Sequence, residues 1–176
     1  MKKKVYVIFS VICVTIFVLF VVFNFVIFPS KYKNQVVYFS NKYNLEIALV
    51  YAVIKAESNF DEKAQSSSGA RGLMQILPST AKWIAGELGV EYADEILFDK
   101  NINIEFGCFY LSYLFSKFAT KDVVVCAYNA GETVVRTWLD ENGYLDESKI
   151  AYSETKNYYK RVMGFYNVYK TKEISI

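Results

Sequence analysis

The chain has 176 residues, 53% of them hydrophobic, with 20 Lys and Arg against 18 Asp and Glu and no histidine. Setting aside Lys2, Lys3 and Lys4, which precede an apolar stretch, leaves 17 basic against 18 acidic groups, so the remainder lacks the basic face that nucleic-acid binding requires. The missing imidazole removes the commonest metal ligand and the commonest general base, which excludes zinc chemistry and Ser-His-Asp catalysis and leaves one soluble domain to explain.

Residues 5–28 carry only Ser10, Thr15 and Asn24 as strongly polar interruptions, enough for about 36 Å of helix against a hydrocarbon core of about 30 Å. A secretory signal has an apolar region of about 7–15 residues and a small-residue cleavage site, whereas this stretch ends Val26-Ile27-Phe28-Pro29, so an uncleaved transmembrane anchor is expected. Phe9-Ser10-Val11-Ile12 lack the small residues that precede a lipidated Cys13. Lys2 to Lys4 before the span, against Lys31 and Lys33 after it, give a shallow positive-inside bias. The expected topology is a single pass through the cell membrane, with residues 1–4 cytoplasmic and the domain extracytoplasmic.

Beyond a joint near residues 29–34, apolar residues recur at spacings of three and four, which predicts an all-α domain. One helix is predicted over residues 45–58. Another opens at Pro78, suited to a first helical turn, and runs to residue 88 before Gly89. Asp99 reads as the N-cap of a long helix ending near Phe118. Shorter helices are predicted over residues 122–128 and 132–140, and a last one over residues 153–169 with Ser153 as its cap. Gln65 to Arg71 is the clearest loop. Cys108 and Cys126 could pair outside the cell, but packing as two small buried hydrophobes is the favoured reading.

On the first of these helices, Val50, Val53 and Ile54 lie seven, four and three residues before Glu57, so the carboxyl continues the apolar stripe. Burial and the negative end of the helix dipole both disfavour its charge, which is how a glycosidase acid is made. A Glu snorkelling at a helix end is the plainer reading of that residue alone.

The surrounding text decides between them. Glu57-Ser58-Asn59-Phe60 is followed by Ser66, by Gly69-Ala70-Arg71-Gly72-Leu73-Met74-Gln75-Ile76-Leu77-Pro78, and by Ala127-Tyr128-Asn129-Ala130-Gly131. In this order the blocks, over residues 43–162, resemble the soluble lytic transglycosylase family. That resemblance implies a lysozyme-like helical fold with a glycan groove, preceded here by the transmembrane helix. It implies Glu57 as the catalytic acid, with Ser66, Gly72, Met74, Gln75, Tyr128, Asn129 and Glu154 along the substrate path. Tyr152-Ser153-Glu154-Thr155-Lys156-Asn157-Tyr158 looks like the family's C-terminal block, while Ala151 stands where Pro is usual and Leu77 where Met is frequent. The organisation implied is a basic tail (1–4), an anchor (5–28), a joint with a first short helix (29–42) and a catalytic domain (43–172).

Ordinary glycosidases use two carboxylates, and the nearest in sequence, Asp61 and Glu62, read as surface charges. The resemblance therefore implies that Glu57 acts alone on peptidoglycan glycan strands, as acid and then as base, leaving 1,6-anhydromuramyl ends with no cofactor and no metal. A goose-type lysozyme-like hydrolase and a non-catalytic wall-binding scaffold are the competing readings. The crowded tyrosines of the C-terminal third, Tyr158 among them, recur at helical spacing and are read as core packing.

Overall fold

The computed structural model describes residues 2–146, 149–150 and 153–173 and divides into two units between Lys31 and Tyr32. The first unit is a helix, α1 (Lys2–Val21), continued by a π-helical stretch over Val22–Ile27. Tyr6–Ile27 is long and apolar enough to cross a membrane, and none of it is buried within the protein. Two of its polar side chains are satisfied by their own helix: Thr15 Oγ1 donates to the Val11 carbonyl and Asn24 Nδ2 to the Phe20 carbonyl, which removes the main objection to placing those two in hydrocarbon.

The second unit is built from α2 (Lys33–Lys42), α3 (Ile47–Ser58), α4 (Pro78–Leu88), a 3₁₀ turn (Asp94–Phe98), α5 (Lys100–Lys117), α6 (Lys121–Ala130), α7 (Glu132–Arg136) and α8 (Ser153–Glu173). Among the described residues there is no strand, only isolated bridges between Gln65 and Arg71, Arg71 and Ile76, and Leu139 and Leu145. The all-α expectation holds. At the centre lies α3, whose residues from Ala48 to Ile54 are all buried, as a helix apolar on every side must be. It packs lengthwise on α8 and, on another side, on α2, while α6 joins α8 to α5. Each fully buried Leu, Val or Ile in α3 contributes about 1.5–3 kcal/mol. Tyr51 stacks on Tyr169 at 5.1 Å between ring centroids, and Glu46 ties the elements at one end, accepting from Tyr166 Oη and pairing with Lys121 Nζ at 2.6 Å.

Local signals in the sequence land where expected. Pro78 occupies the first turn of α4, and Gly89 ends it in left-handed backbone at φ 65°. Asp99 caps α5, its carboxylate accepting from Asn101 N at 2.8 Å and Ile102 N at 3.1 Å. The helix expected over residues 132–140 is a correction: α7 stops at Arg136, and Asp140 instead accepts from the Asn142 and Tyr144 amides in a tight turn with Gly143 at φ 81°. Asn142-Gly143 is a hairpin-turn signal that overrides helical periodicity here. Cys108 and Cys126 are separate buried thiols. Ala151 and Tyr152, where the C-terminal block departs from the family pattern, lie outside the described residues. Removing the α5 cap in Asp99→Ala should lower the chain's stability by about 1 kcal/mol, read as a fall in thermal midpoint, with the helix content of the folded state unchanged.

Candidate active site

The apolar side of α3 runs to its last turn and there presents Glu57, half-buried, below the fully buried Val50, Val53 and Ile54. The helix ends because Asn59 takes left-handed backbone at φ 49° and its N–H returns to the Lys55 carbonyl. Phe60 follows at φ 67°, a conformation a bulky side chain resists, and the burial of its ring holds it there. The chain thereby crosses the end of α3 and enters the loop of residues 61–77.

Burial pushes the Glu57 carboxyl up to about 7, against the opposing pull of the Tyr158 hydroxyl and the Arg161 guanidinium, both from α8. The Tyr158 hydroxyl is itself buried and has no partner at ordinary hydrogen-bond geometry, and the Glu57 carboxyl is the acceptor it faces. The neighbouring Tyr128 hydroxyl donates instead to the Met74 carbonyl at 2.8 Å.

A groove of about 300 Å³ opens over Glu57, lined by Ser66, Ser67, Ser68, Ala70, Gln75, Leu77, Tyr128, Asn129 and Glu154. It shares Gln75, Leu77, Tyr128 and Asn129 with a second hollow of about 200 Å³, to which Thr80 and Tyr110 add a wall. Another hollow, of about 320 Å³ between Tyr144, Tyr159 and Lys160, shares none of these residues.

The loop is shaped by its own hydrogen bonds. Ser66 Oγ accepts from Ala70 N at 3.0 Å, and Arg71 and Ile76 exchange both backbone bonds at 3.1 Å. Gln75, at φ 49°, donates its side-chain amide to the Ala64 and Gly72 carbonyls at 3.0 and 2.9 Å, so its carbonyl oxygen is what it offers the groove. From the far side, Thr155 Oγ1 donates to Asn129 Oδ1 at 2.8 Å, fixing α8 to the end of α6.

Of the residues picked out in the sequence, Glu57, Ser66, Gln75, Tyr128, Asn129 and Glu154 converge on this groove. Gly72 and Met74 do not line it: both are buried beneath it against α5. Two neighbours of the acid escaped the sequence reading, Tyr158 and Arg161. Tyr158 is core, as its helical spacing indicates, but its hydroxyl end meets Glu57; the four-residue step from Glu154 was the available clue. Asp61 and Glu62 do not line the groove and instead bear on Tyr32. Among the described residues, no three His, Cys, Asp or Glu side chains gather where a metal ion could be held.

Fold and groove together define a lysozyme-like helical domain. Residues 36–151 match the family model of the transglycosylase SLT domain, and the chain belongs to that family. The soluble lytic murein transglycosylase of Salmonella typhimurium is 31% identical over 151 residues, 81% of this chain and 23% of the relative. The membrane-bound lytic murein transglycosylase C of Serratia proteamaculans is 34% identical over 118 residues, 57% of this chain and 31% of the relative. The solved 70 kDa soluble lytic transglycosylase of Escherichia coli superposes with a TM-score of 0.75 at 31% identity, covering 82% of this chain and 25% of that one. The chain thus spans about a quarter of the length of the soluble relatives it matches.

A carboxyl whose folded pKa is raised favours folding below its unfolded value near 4.5 and loses that advantage as pH rises through about 7. Glu57→Gln, which cannot ionise, should therefore be more stable than wild type at pH 8, by roughly 1–3 kcal/mol, and nearly equal to it at pH 4. Thermal melts of both chains at the two pH values check this.

Proposed function

We propose that the chain is a membrane-anchored lytic transglycosylase that cleaves the β-1,4 bond between N-acetylmuramic acid and N-acetylglucosamine in peptidoglycan. The single observation that carries the reading is a carboxyl held near pKa 7 by burial in a groove whose other polar lining is hydroxyl, amide and phenol groups with Glu154. Such an acid keeps its proton in about half of the molecules at neutral pH and sits near the optimum for proton transfer.

In this reading Glu57 gives its proton to the glycosidic oxygen as the bond to the muramyl anomeric carbon breaks. The neighbouring acetamido group stabilises that carbon in place of a second enzymic carboxylate. Glu57, now a carboxylate beside Arg161, takes the proton of the muramyl 6-hydroxyl as its oxygen closes on the anomeric carbon. The product is a 1,6-anhydro end, and the acid is restored for the next cycle. Tyr158 faces the carboxyl and favours its ionised form, which stabilises the carboxylate left when Glu57 gives up its proton. Ser66, Gln75, Asn129 and Glu154 supply polar contacts to the sugars and their acetamido groups, with Tyr128 between them and the acid.

The anchor completes the reading. Residues 5–28 cross the membrane once, residues 1–4 remain cytoplasmic, residues 29–42 join anchor to domain, and residues 43–172 act outside, where the glycan is. The apolar Tyr6–Ile27 helix, the leading lysines and the membrane-bound relative support it.

Mass spectrometry of peptidoglycan digested by the full chain tests the reaction. Anhydromuramyl ends are expected from wild type, with at least a thousandfold loss in Glu57→Gln that leaves glycan binding in place. Reducing ends would assign a hydrolase instead, and unchanged biological activity in Glu57→Gln would assign a binding scaffold.

A further inference from the structure

Beneath the groove, α5 meets the loop through two residues one turn apart, Asn103 and Gly107. Asn103 is 1% exposed and its amide is fully used: Oδ1 accepts from Met74 N at 2.7 Å, while Nδ2 donates to the Arg71 carbonyl at 2.9 Å and the Leu97 carbonyl at 2.8 Å. The two segments approach so closely that Gly72 leaves no room for a side chain, and a side chain at Gly107 would have to push Met74 aside. A Cβ on Gly72 would lie 2.3 Å from Asn103 Nδ2 and from the Leu97 oxygen, and one on Gly107 would lie 2.2 Å from Met74 Sδ. Met74 is thus gripped twice, by its amide and by its side chain, and its carbonyl is the acceptor of the Tyr128 hydroxyl.

A phenol has one O–H to give. Tyr128 lies within electrostatic reach of Glu57, yet its proton is committed to Met74, so it cannot also solvate the carboxylate. The charged and titratable groups that bear on Glu57 are otherwise Tyr158 and Arg161 from α8, with Glu154 along the same groove; the loop contributes serines and Gln75, which are neutral. We infer that Asn103 is a positioning residue of the Glu57 site: by fixing Met74 from below, it keeps the Tyr128 hydroxyl bonded to the loop instead of to the carboxyl. Its functional meaning rests on the reading of Glu57 as the proton donor, because an O–H turned onto the carboxylate would favour the ionised form and weaken the acid's hold on its proton.

The test is a carboxyl-carbon NMR titration of Glu57 in the full chain in detergent micelles, for wild type, Asn103→Asp, Gly107→Ala and Tyr128→Phe. Asn103→Asp sets oxygen against the Arg71 and Leu97 carbonyls and should release the loop, lowering the Glu57 midpoint by about one pH unit. A new buried carboxylate acting directly would raise it, so the sign separates the two effects. Tyr128→Phe should leave the midpoint near its wild-type value and should abolish the shift when combined with Asn103→Asp. Gly107→Ala displaces the flexible Met74 side chain without touching the Asn103 hydrogen bonds, and it carries the same expectation should the buried Asp prevent folding. An unchanged or raised midpoint in folded Asn103→Asp, or in Gly107→Ala where Asn103→Asp does not fold, overturns the inference. The titration needs no substrate, so a chain that made no anhydro ends would defeat the proposed reaction without altering this result.

Discussion

A carboxyl set among apolar side chains resists ionisation, and in this protein that resistance organises the site. Glu57 owes its position to α3, a helix apolar on every side for seven residues, which therefore has to run through the middle of the domain with α8 along it and α2 against it. Because the apolar side continues to the last turn, the residue that ends it is half-buried whatever its chemistry, and here it is an acid. Burial raises its pKa, while α8 limits the rise by bringing a phenol and a guanidinium to the same spot. The proposed double role needs that balance: with burial alone the group would hold its proton too tightly to cycle, and with full solvation it would have none to give at neutral pH.

The loop of residues 61–77 has the complementary task of forming a wall, and the residues it turns to the groove, among them Ser66, Ser67, Ser68 and Gln75, carry no charge. It does so with backbone geometry that most residues avoid, at Phe60 and Gln75 as well as at Gly69 and Gly72, and it is held by hydrogen bonds to its own carbonyls and to Asn103. Strain of this kind persists only where surrounding contacts over-determine it. The two grips on Met74, from Asn103 and from the space above Gly107, are contacts of that sort. A rigid wall bearing mainly neutral donors and acceptors also leaves the Glu57 proton undisturbed by competing charge from this side.

How far the sequence reaches can be judged from particular residues. Pro78, Gly89 and Asp99 carry their meaning locally, through a fixed φ, a permitted positive φ and a side-chain cap, and each is found in that role. The apolar stripe, a three- and four-residue pattern, made the burial of Glu57 legible, while its reading as the acid came from the ordered motif blocks around it. Residues 132–140 do not form the one helix that periodicity predicts, because the Asn142-Gly143 turn closes the segment. Tyr158 was legible as core but not as a neighbour of Glu57, since spacing shows which face a residue occupies and not what its hydroxyl meets across the interface. Asn103 gave no signal at all: its three partners lie 6 to 32 residues away, and an asparagine inside a helix looks like a solvated position until the packing is seen.

The account stands on the ionisation of one side chain, so the most direct measurement is the wild-type titration of Glu57, followed by carboxyl-carbon NMR in the full chain and assigned by its loss in Glu57→Gln. The expected midpoint is near 7. A midpoint at the ordinary glutamate value of about 4.3 would mean that the groove holds a solvated anion at neutral pH, and the single-acid reading would fail.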